Sequence, residues 1–506
     1  MSGKLSFRLN TFIQANKELS IYLFFAVLSV IVLFFYSQDS YLYDLYNRVD
    51  SAWFFMCGKA WMNGMMPYVD FADSKGPLLW LIYGLGYLIS PRDYTGVYWV
   101  TCVWYSFTYY FTYKLADIFL KNKRKSVLCA ILMTVAFFNP LFHVETRAED
   151  FCLLFITISL YRMSLSLYDD DHQDDRSTSL SFFWFGCCFS ALLLIKFNYA
   201  AMQCIFPFCT AIYLIKNKRN IVRPCLYWIL GTALTVLPFL TYFLIQGNFD
   251  DFINEYFINT TSTIMNIKDF LINQFLLLYT NKRVIILLIC TTLFNILIFK
   301  DLDRFKGVLL FCSFSFLLAN MLLGTIYYFN INSIFLISGF VYLLKRFNII
   351  FNINNALLLI VLTISPLFYH IFLPTYSFSY KPFKFRRDTM ESEHFNAINE
   401  IIKEKEAPTL INLFSYEYGY GISSEILPGC KYWAMQNGAT DEMAHNQIQS
   451  VKNGKADYIY INDIDVVISK GLSLEELMSA GYDISYSNND KGYLLTRKMD
   501  VGNTND

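Results

Sequence analysis

Gly64-Met65-Met66-Pro67-Tyr68-Val69-Asp70-Phe71-Ala72-Asp73-Ser74-Lys75-Gly76-Pro77-Leu78-Leu79-Trp80-Leu81-Ile82-Tyr83-Gly84-Leu85-Gly86-Tyr87-Leu88-Ile89-Ser90 is the stretch on which the threading of this chain turns. Its apolar half, 77–90, is only about fourteen residues long, opens on Gly76-Pro77 and is broken by Gly84 and Gly86, whereas a helix needs about 20 apolar residues to cross a bilayer. Other apolar segments recur around it, near 20–37, 96–113, 126–141, 150–167, 180–195, 198–215, 225–245, 284–299, 307–323, 331–344 and 353–373. If 77–90 crossed as well, Lys114 and the cluster Lys121, Lys123, Arg124 and Lys125 would lie outside, against the tendency of basic loops to face the cytoplasm. Read as an interfacial or re-entrant helix, it lets the basic groups 121–125, 216–223, 300–306 and 345–346 all lie inside.

The fold class expected is therefore mainly α. The chain reads as a polytopic membrane protein of about 11 transmembrane helices with a re-entrant segment in its first outer loop and a small C-terminal α/β domain. The multi-pass protein is expected in the plasma (inner) membrane, N-terminus cytoplasmic and C-terminal domain extracytoplasmic. Lys4, Arg8 and Lys17 precede the run Ile21–Tyr36, and acidic and aromatic residues follow it where a cleavage site would need small ones, so this run is expected to stay as the first helix. Residues 1–375 form the transmembrane domain, with outer loops 38–95, 142–149 and 246–282, and 376–506 form the soluble domain.

Composition agrees, with 55% hydrophobic and 16% charged residues. Lys plus Arg equals Asp plus Glu at 41 each, which gives no bulk positive charge for nucleic acid. The cysteines, among them Cys187, Cys188, Cys204 and Cys209, lack paired metal-finger spacing and read as small buried hydrophobes. The acidic run 169–176 reads as a solvated turn. In the tail, helix-like stretches at Glu393–Lys405, Asp441–Val451 and Leu474–Ala480 alternate with strand-like Thr409–Phe414, Asp457–Ile461 and Tyr493–Thr496. Its one cysteine, Cys430, allows no disulfide within it, and it carries no catalytic triad, glycine-rich phosphate loop or zinc motif.

Chemistry is expected in the outer loops. Arg48-Val49-Asp50, Asp70, Asp73 and Lys75 crowd the membrane surface; Asp50 suits proton abstraction and Lys75 can meet a phosphate, the alternative being a polar connector with interface aromatics. His143, Glu145, Arg147, Glu149 and Asp150 fall within eight residues at a helix mouth, where an arginine can hold a phosphate and acids can orient it. Lys196, beside Asn198 at the end of its helix, faces a cavity or snorkels to the interface. No motif demands a cofactor, and the metal question stays open, a divalent ion being compatible with these acids.

In order, Arg48-x-Asp50, Gly64-x-x-Pro67-Tyr68-x-Asp70, Asp73-x-Lys75-Gly76-Pro77 and Arg147-x-Glu149 resemble the GT-C membrane glycosyltransferases, in the branch (glycosyltransferase family 39-like) of protein O-mannosyltransferases and lipid A aminoarabinose transferases. The resemblance is strongest over about residues 20–165, and the tail resembles the outer domain of such enzymes. It implies transfer of a sugar from a polyprenyl-phosphate-linked donor to a lipid, glycan or protein acceptor. Asp50 would be the base, Lys75, Arg147 and Lys196 would meet the donor phosphate, and Arg48, Asp70, Asp73, Glu145, Glu149 and Asp150 would support them. The chain departs from the family pattern at Asp50-Ser51 and at Lys75-Gly76-Pro77, where Lys-Pro-Pro is usual. Two other readings use the same lipid carrier: a transporter or flippase of lipid-linked glycans, and a glycan polymerase or ligase.

Overall fold

The computed structural model describes residues 2–41, 49–138, 146–168, 174–260, 306–323, 326–346, 397–402, 405–416, 419–435, 440–488 and 492–498. The expected spans 284–299 and 353–373, and most of the acidic turn 169–176, lie outside them. Two compact units result, one of residues 1–40, 99–239 and 265–382, the other of residues 41–98, 240–264 and 383–506. This grouping is not a linear cut near 375, because residues 41–98 and 240–264 group with the tail.

In the first unit the long helices are α1 (Ser2–Tyr36), most of α4 (Thr95–Leu120; α2 and α3 belong to the second unit) and α7 (Ala148–Tyr168), with the shorter α5 (Lys123–Leu132) and α6 (Thr134–Phe137) between the last two. They are followed by α8 (Asp175–Ile195), α9 (Phe197–Gln203), α10 (Ile205–Lys216) and α11 (Val222–Gln246), which runs on into the second unit. Among the described residues six helical stretches are long and apolar enough to cross a membrane: 16–36, 148–168, 175–195, 197–216, 222–246 and 328–346. Burial sorts them. Of its most apolar window, α7 has 78% buried and α11 only 11%, so α7 is the centre of the bundle and α11 turns Leu226, Ile229, Leu230, Leu234 and Leu237 outward. The crossing of α8 and α11 is made by glycines: a Cβ added at Gly186 would lie 2.8 Å from the Thr232 amide, and one at Gly231 3.0 Å from the Phe183 carbonyl carbon. Small residues of this kind let membrane helices approach closely where no hydrophobic effect drives them together. The expected segment 126–141 is interrupted at Met133, between α5 and α6.

The second unit begins with α2 (Val49–Met62) and α3 (Pro77–Ile89). Pro77 stands at the first helical position, where its fixed φ and missing N–H cost nothing. At 1.5 Å per residue, thirteen residues make α3 about 20 Å long, short of the roughly 30 Å hydrocarbon layer. It buries Leu79, Trp80, Ile82 and Tyr83 while Leu85, Leu88 and Ile89 stay exposed. Helices α2 and α3 meet at Gly58, whose added Cβ would fall 2.8 Å from the Trp80 carbonyl and closer still to the Gly84 amide. Gly58→Val is expected to force the pair apart at about 1–3 kcal/mol. A melting temperature equal to the unmodified protein's, measured in detergent, would exclude that packing.

Residues 249–259 contribute α12 (Phe249–Phe252) and a π-helical turn, Ile253–Asn259. Phe252 and Tyr256 from them pack around Tyr68, together with Trp80 and Phe243. Back in the first unit, α13 (Lys306–Leu323), a 3-10 stretch Ile326–Leu336 and α14 (Ile337–Arg346) follow.

The tail is an α/β fold with a five-stranded sheet: β1 (Thr409–Asn412), β2 (Leu427–Pro428), β3 (Tyr458–Ile461), β4 (Tyr482–Asn488) and β5 (Gly492–Arg497), in spatial order β2-β1-β3-β5-β4. The first three are parallel and the last pairings antiparallel. Central β3 is buried along its whole length, as a strand covered on both faces requires. Helix α15 (Asp441–Lys452) starts on Thr440, whose hydroxyl accepts from the Met443 amide, and a Ser473–Glu476 capping box opens the short helix Leu474–Ser479. Asp457 ties the starts of β1 and β3 together by accepting from the Thr409 amide and hydroxyl, and it also accepts from Lys405.

Candidate functional site

In the second unit, α2 places Asp50 in its first turn, and the segment after the Tyr68 turn places Asp73 where the charges of both Lys75 and Asp50 act on it. The turn is built from its own sequence. Tyr68 has φ of 68°, in the left-handed region, and its amide donates to the Phe71 carbonyl at 2.7 Å. Asp70 closes the same turn, its carboxylate accepting from the Met66 amide at 2.6 Å. The Tyr68 hydroxyl donates to the Lys75 carbonyl at 3.1 Å, which fixes the start of α3.

Asp73 is buried. Its Oδ1 accepts from the Ser74 amide at 2.6 Å, while Oδ2 has no hydrogen-bond partner. Burial pushes its carboxyl above the ordinary range against the pull of Lys75, with Asp50 adding to the rise. A raised value in the folded state favours the protonated acid, so Asp73 supports the fold fully below the usual carboxylate pKa and loses that support as pH climbs through the raised value. Asp73→Asn is therefore expected to melt higher than the unmodified protein near pH 7 and to converge with it near pH 4. A melting curve against pH that shows no convergence would exclude this.

Lys75 lies half-buried, its Nζ 3.0 Å from the Ser74 hydroxyl and 5.9 Å from the centre of the Phe54 ring. On the same helix as Asp50, buried Lys59 donates to the carbonyls of Gly421 at 2.8 Å and Ser424 at 2.6 Å. Trp53 stacks on Trp433 at 4.0 Å between centroids. Cys57 is also buried beneath this cluster, and burial raises its thiol, with Asp73 adding to the rise.

The first unit holds a separate charged centre. Glu149 and Asp150 lie in the first turn of α7, where acids suit the positive end of the helix dipole. Lys196 occupies the break between α8 and α9, in extended backbone with φ of −158°. Its Nζ reaches Glu149 Oε1 at 2.6 Å and stands 3.6 Å from the centre of the Tyr328 ring. Tyr199 also donates to that carboxylate at 3.3 Å. Asp150 accepts from the Tyr105 hydroxyl at 2.5 Å and from the Arg147 amide at 2.9 Å, so it holds the residue before the helix.

Asp73 thus feels the charges of both Lys75 and Asp50, and Asp70 closes a bend. The structure pairs Glu149 with Lys196, two residues singled out separately. Arg48, His143 and Glu145 lie outside the described residues. Among the described residues no set of three or more His, Cys, Asp or Glu side chains is arranged to hold a metal ion. Sequence reading passed over Lys59, although a cation inside the apolar run Trp53–Trp61 is a signal in itself. It also missed Glu255, which accepts from Lys431 at 2.5 Å and from the Tyr432 hydroxyl at 3.0 Å. Nothing local announces that pairing.

The apolar helices and the α/β tail give an ArnT-like membrane-protein fold. The chain is similar to ArnT from Cupriavidus metallidurans in two crystal structures. One, bound to undecaprenyl phosphate, matches at a TM-score of 0.57 and 11% identity over 96% of this chain and 99% of that one. The other, in the apo state, matches at 0.52 and 11% over 95% and 98%. No known family profile matches the sequence, and no curated protein matches it.

Proposed function

We propose that the chain is a membrane glycosyltransferase that moves a sugar from a polyprenyl-phosphate-linked donor to a hydroxyl on a lipid, glycan or protein acceptor at the outer face of the membrane. Asp50 takes the hydroxyl proton. The oxygen attacks the anomeric carbon of the donor, the bond from that carbon to the phosphate oxygen breaks, and polyprenyl phosphate leaves with the electron pair. Lys75 neutralises the phosphate as its charge grows, an interaction that strengthens where water is scarce. Asp73 stands behind Lys75. Because Lys196 already gives its charge to Glu149, the pair is assigned a supporting role within the first unit.

The observation that supports this reading most is the coincidence of two independent results. The residues quoted from the sequence, Asp50, Asp73 and Lys75, cluster in a chain whose fold matches, over nearly its full length, a protein crystallised with undecaprenyl phosphate. The test is incubation of the purified protein, in vesicles, with a panel of radiolabelled sugars on undecaprenyl phosphate and with membrane lipids and glycans as acceptors. Label is expected to move from one donor into an acceptor. No movement from any donor would count against the reading.

A further inference from the structure

The tail segment Lys431–Trp433 touches both the segment that carries Asp73 and the helix that carries Asp50. On one side it is fastened to the sheet: the Trp433 carbonyl accepts from the Asn412 amide at 2.6 Å, and the Tyr432 carbonyl from the side chain of buried Gln447 at 2.7 Å. On the other side the Lys431 carbonyl accepts from the Ala72 amide at 3.1 Å, one residue before Asp73. Trp433 stacks on Trp53, one helical turn beyond Asp50. The lysine side chain and the Tyr432 hydroxyl both end on Glu255, which is 11% exposed and belongs to the π-helical turn Ile253–Asn259.

We propose that Lys431–Trp433 is a strap, anchored by Glu255, that sets the Asp73–Lys75 segment at its working distance from Asp50, making Glu255, Lys431 and Trp433 positioning residues. This rests on the reading of Asp50 as base. A strap joined to both halves of a cluster fixes their separation. An error of about 1 Å in such a separation is enough to cost on the order of 100-fold in rate.

The test uses the full-length protein and the variants Glu255→Gln, Lys431→Met, Lys431→Arg and, as a control outside the strap, Lys405→Met. The first readout is the rate at which N-ethylmaleimide labels Cys57, resolved by peptide mass spectrometry. It is expected to rise about tenfold or more in Glu255→Gln and Lys431→Met, as local opening exposes the thiol, and to stay unchanged in Lys431→Arg and Lys405→Met. The second readout is transfer from the undecaprenyl-phosphate-linked sugar that the donor panel identifies. In the same two variants kcat is expected to fall about tenfold or more with donor KM within about twofold, the loss being rescued in Lys431→Arg. Continued protection of Cys57 would overturn the strap, as would opening with no change in kcat. An equal loss in Lys405→Met would reduce the effect to general destabilisation and overturn it too. Transfer that survives Asp50→Asn would refute only the base, because labelling of Cys57 does not depend on which acid takes the proton.

Discussion

Asp50→Asn is expected to lower sugar transfer by about 10²–10⁴-fold, the contribution of a positioned general base, with little change in melting temperature. Asparagine keeps the shape and the helix-start position of the aspartate but has no basic oxygen. Its effect on the fold includes the loss of a favourable charge at the first turn of α2, about 0.3–1 kcal/mol. Steady-state rates with one donor at equal amounts of folded protein give the number. A variant that keeps more than half of the activity would remove Asp50 from the chemistry.

Glu149→Ala is expected to cost about 3–5 kcal/mol of stability, because it leaves the Lys196 ammonium buried beside Tyr328 without its carboxylate. The pair is almost fully withdrawn from solvent, with side-chain exposures of 8% for Lys196 and 4% for Glu149, so water cannot replace the lost partner. Removing both charges in Glu149→Gln with Lys196→Met is expected to recover most of the loss, since an apolar and neutral pair asks for no counter-charge. Thermal unfolding of the three proteins in one detergent decides it. A double variant no more stable than Glu149→Ala would show that the damage comes from packing around α7, not from the stranded charge.

Much of this architecture was legible in the sequence, and the legible parts share a cause. Gly76-Pro77 announces the start of α3 by local chemistry alone, and the shortness of the apolar run sets its length. The tail strands β1, β3 and β5 show as apolar runs because both faces of that part of the sheet are covered. Strand β4 did not show, since Tyr482–Asn488 lies at the sheet edge with most of its side chains in solvent. Asp50, Asp73 and Lys75 could be picked out because they share one polar connection, 38–76, after the first apolar segment. The Glu149–Lys196 pair was half legible: a charge near a membrane helix requires a partner, but which one is a matter of how α7 and the α8–α9 break pack. The Glu255 cluster was not legible, because its hydrogen bond to Tyr432 spans 177 positions and none of these residues breaks a local rule.

The most direct measurement is to place an undecaprenyl-phosphate-linked sugar in one leaflet of vesicles containing the purified protein and to follow both the sugar and the lipid. Release of undecaprenyl phosphate in step with the appearance of the sugar on an acceptor is the result expected of a transferase. Donor that arrives intact in the opposite leaflet, with no undecaprenyl phosphate released, would contradict it and identify a carrier of lipid-linked glycans instead.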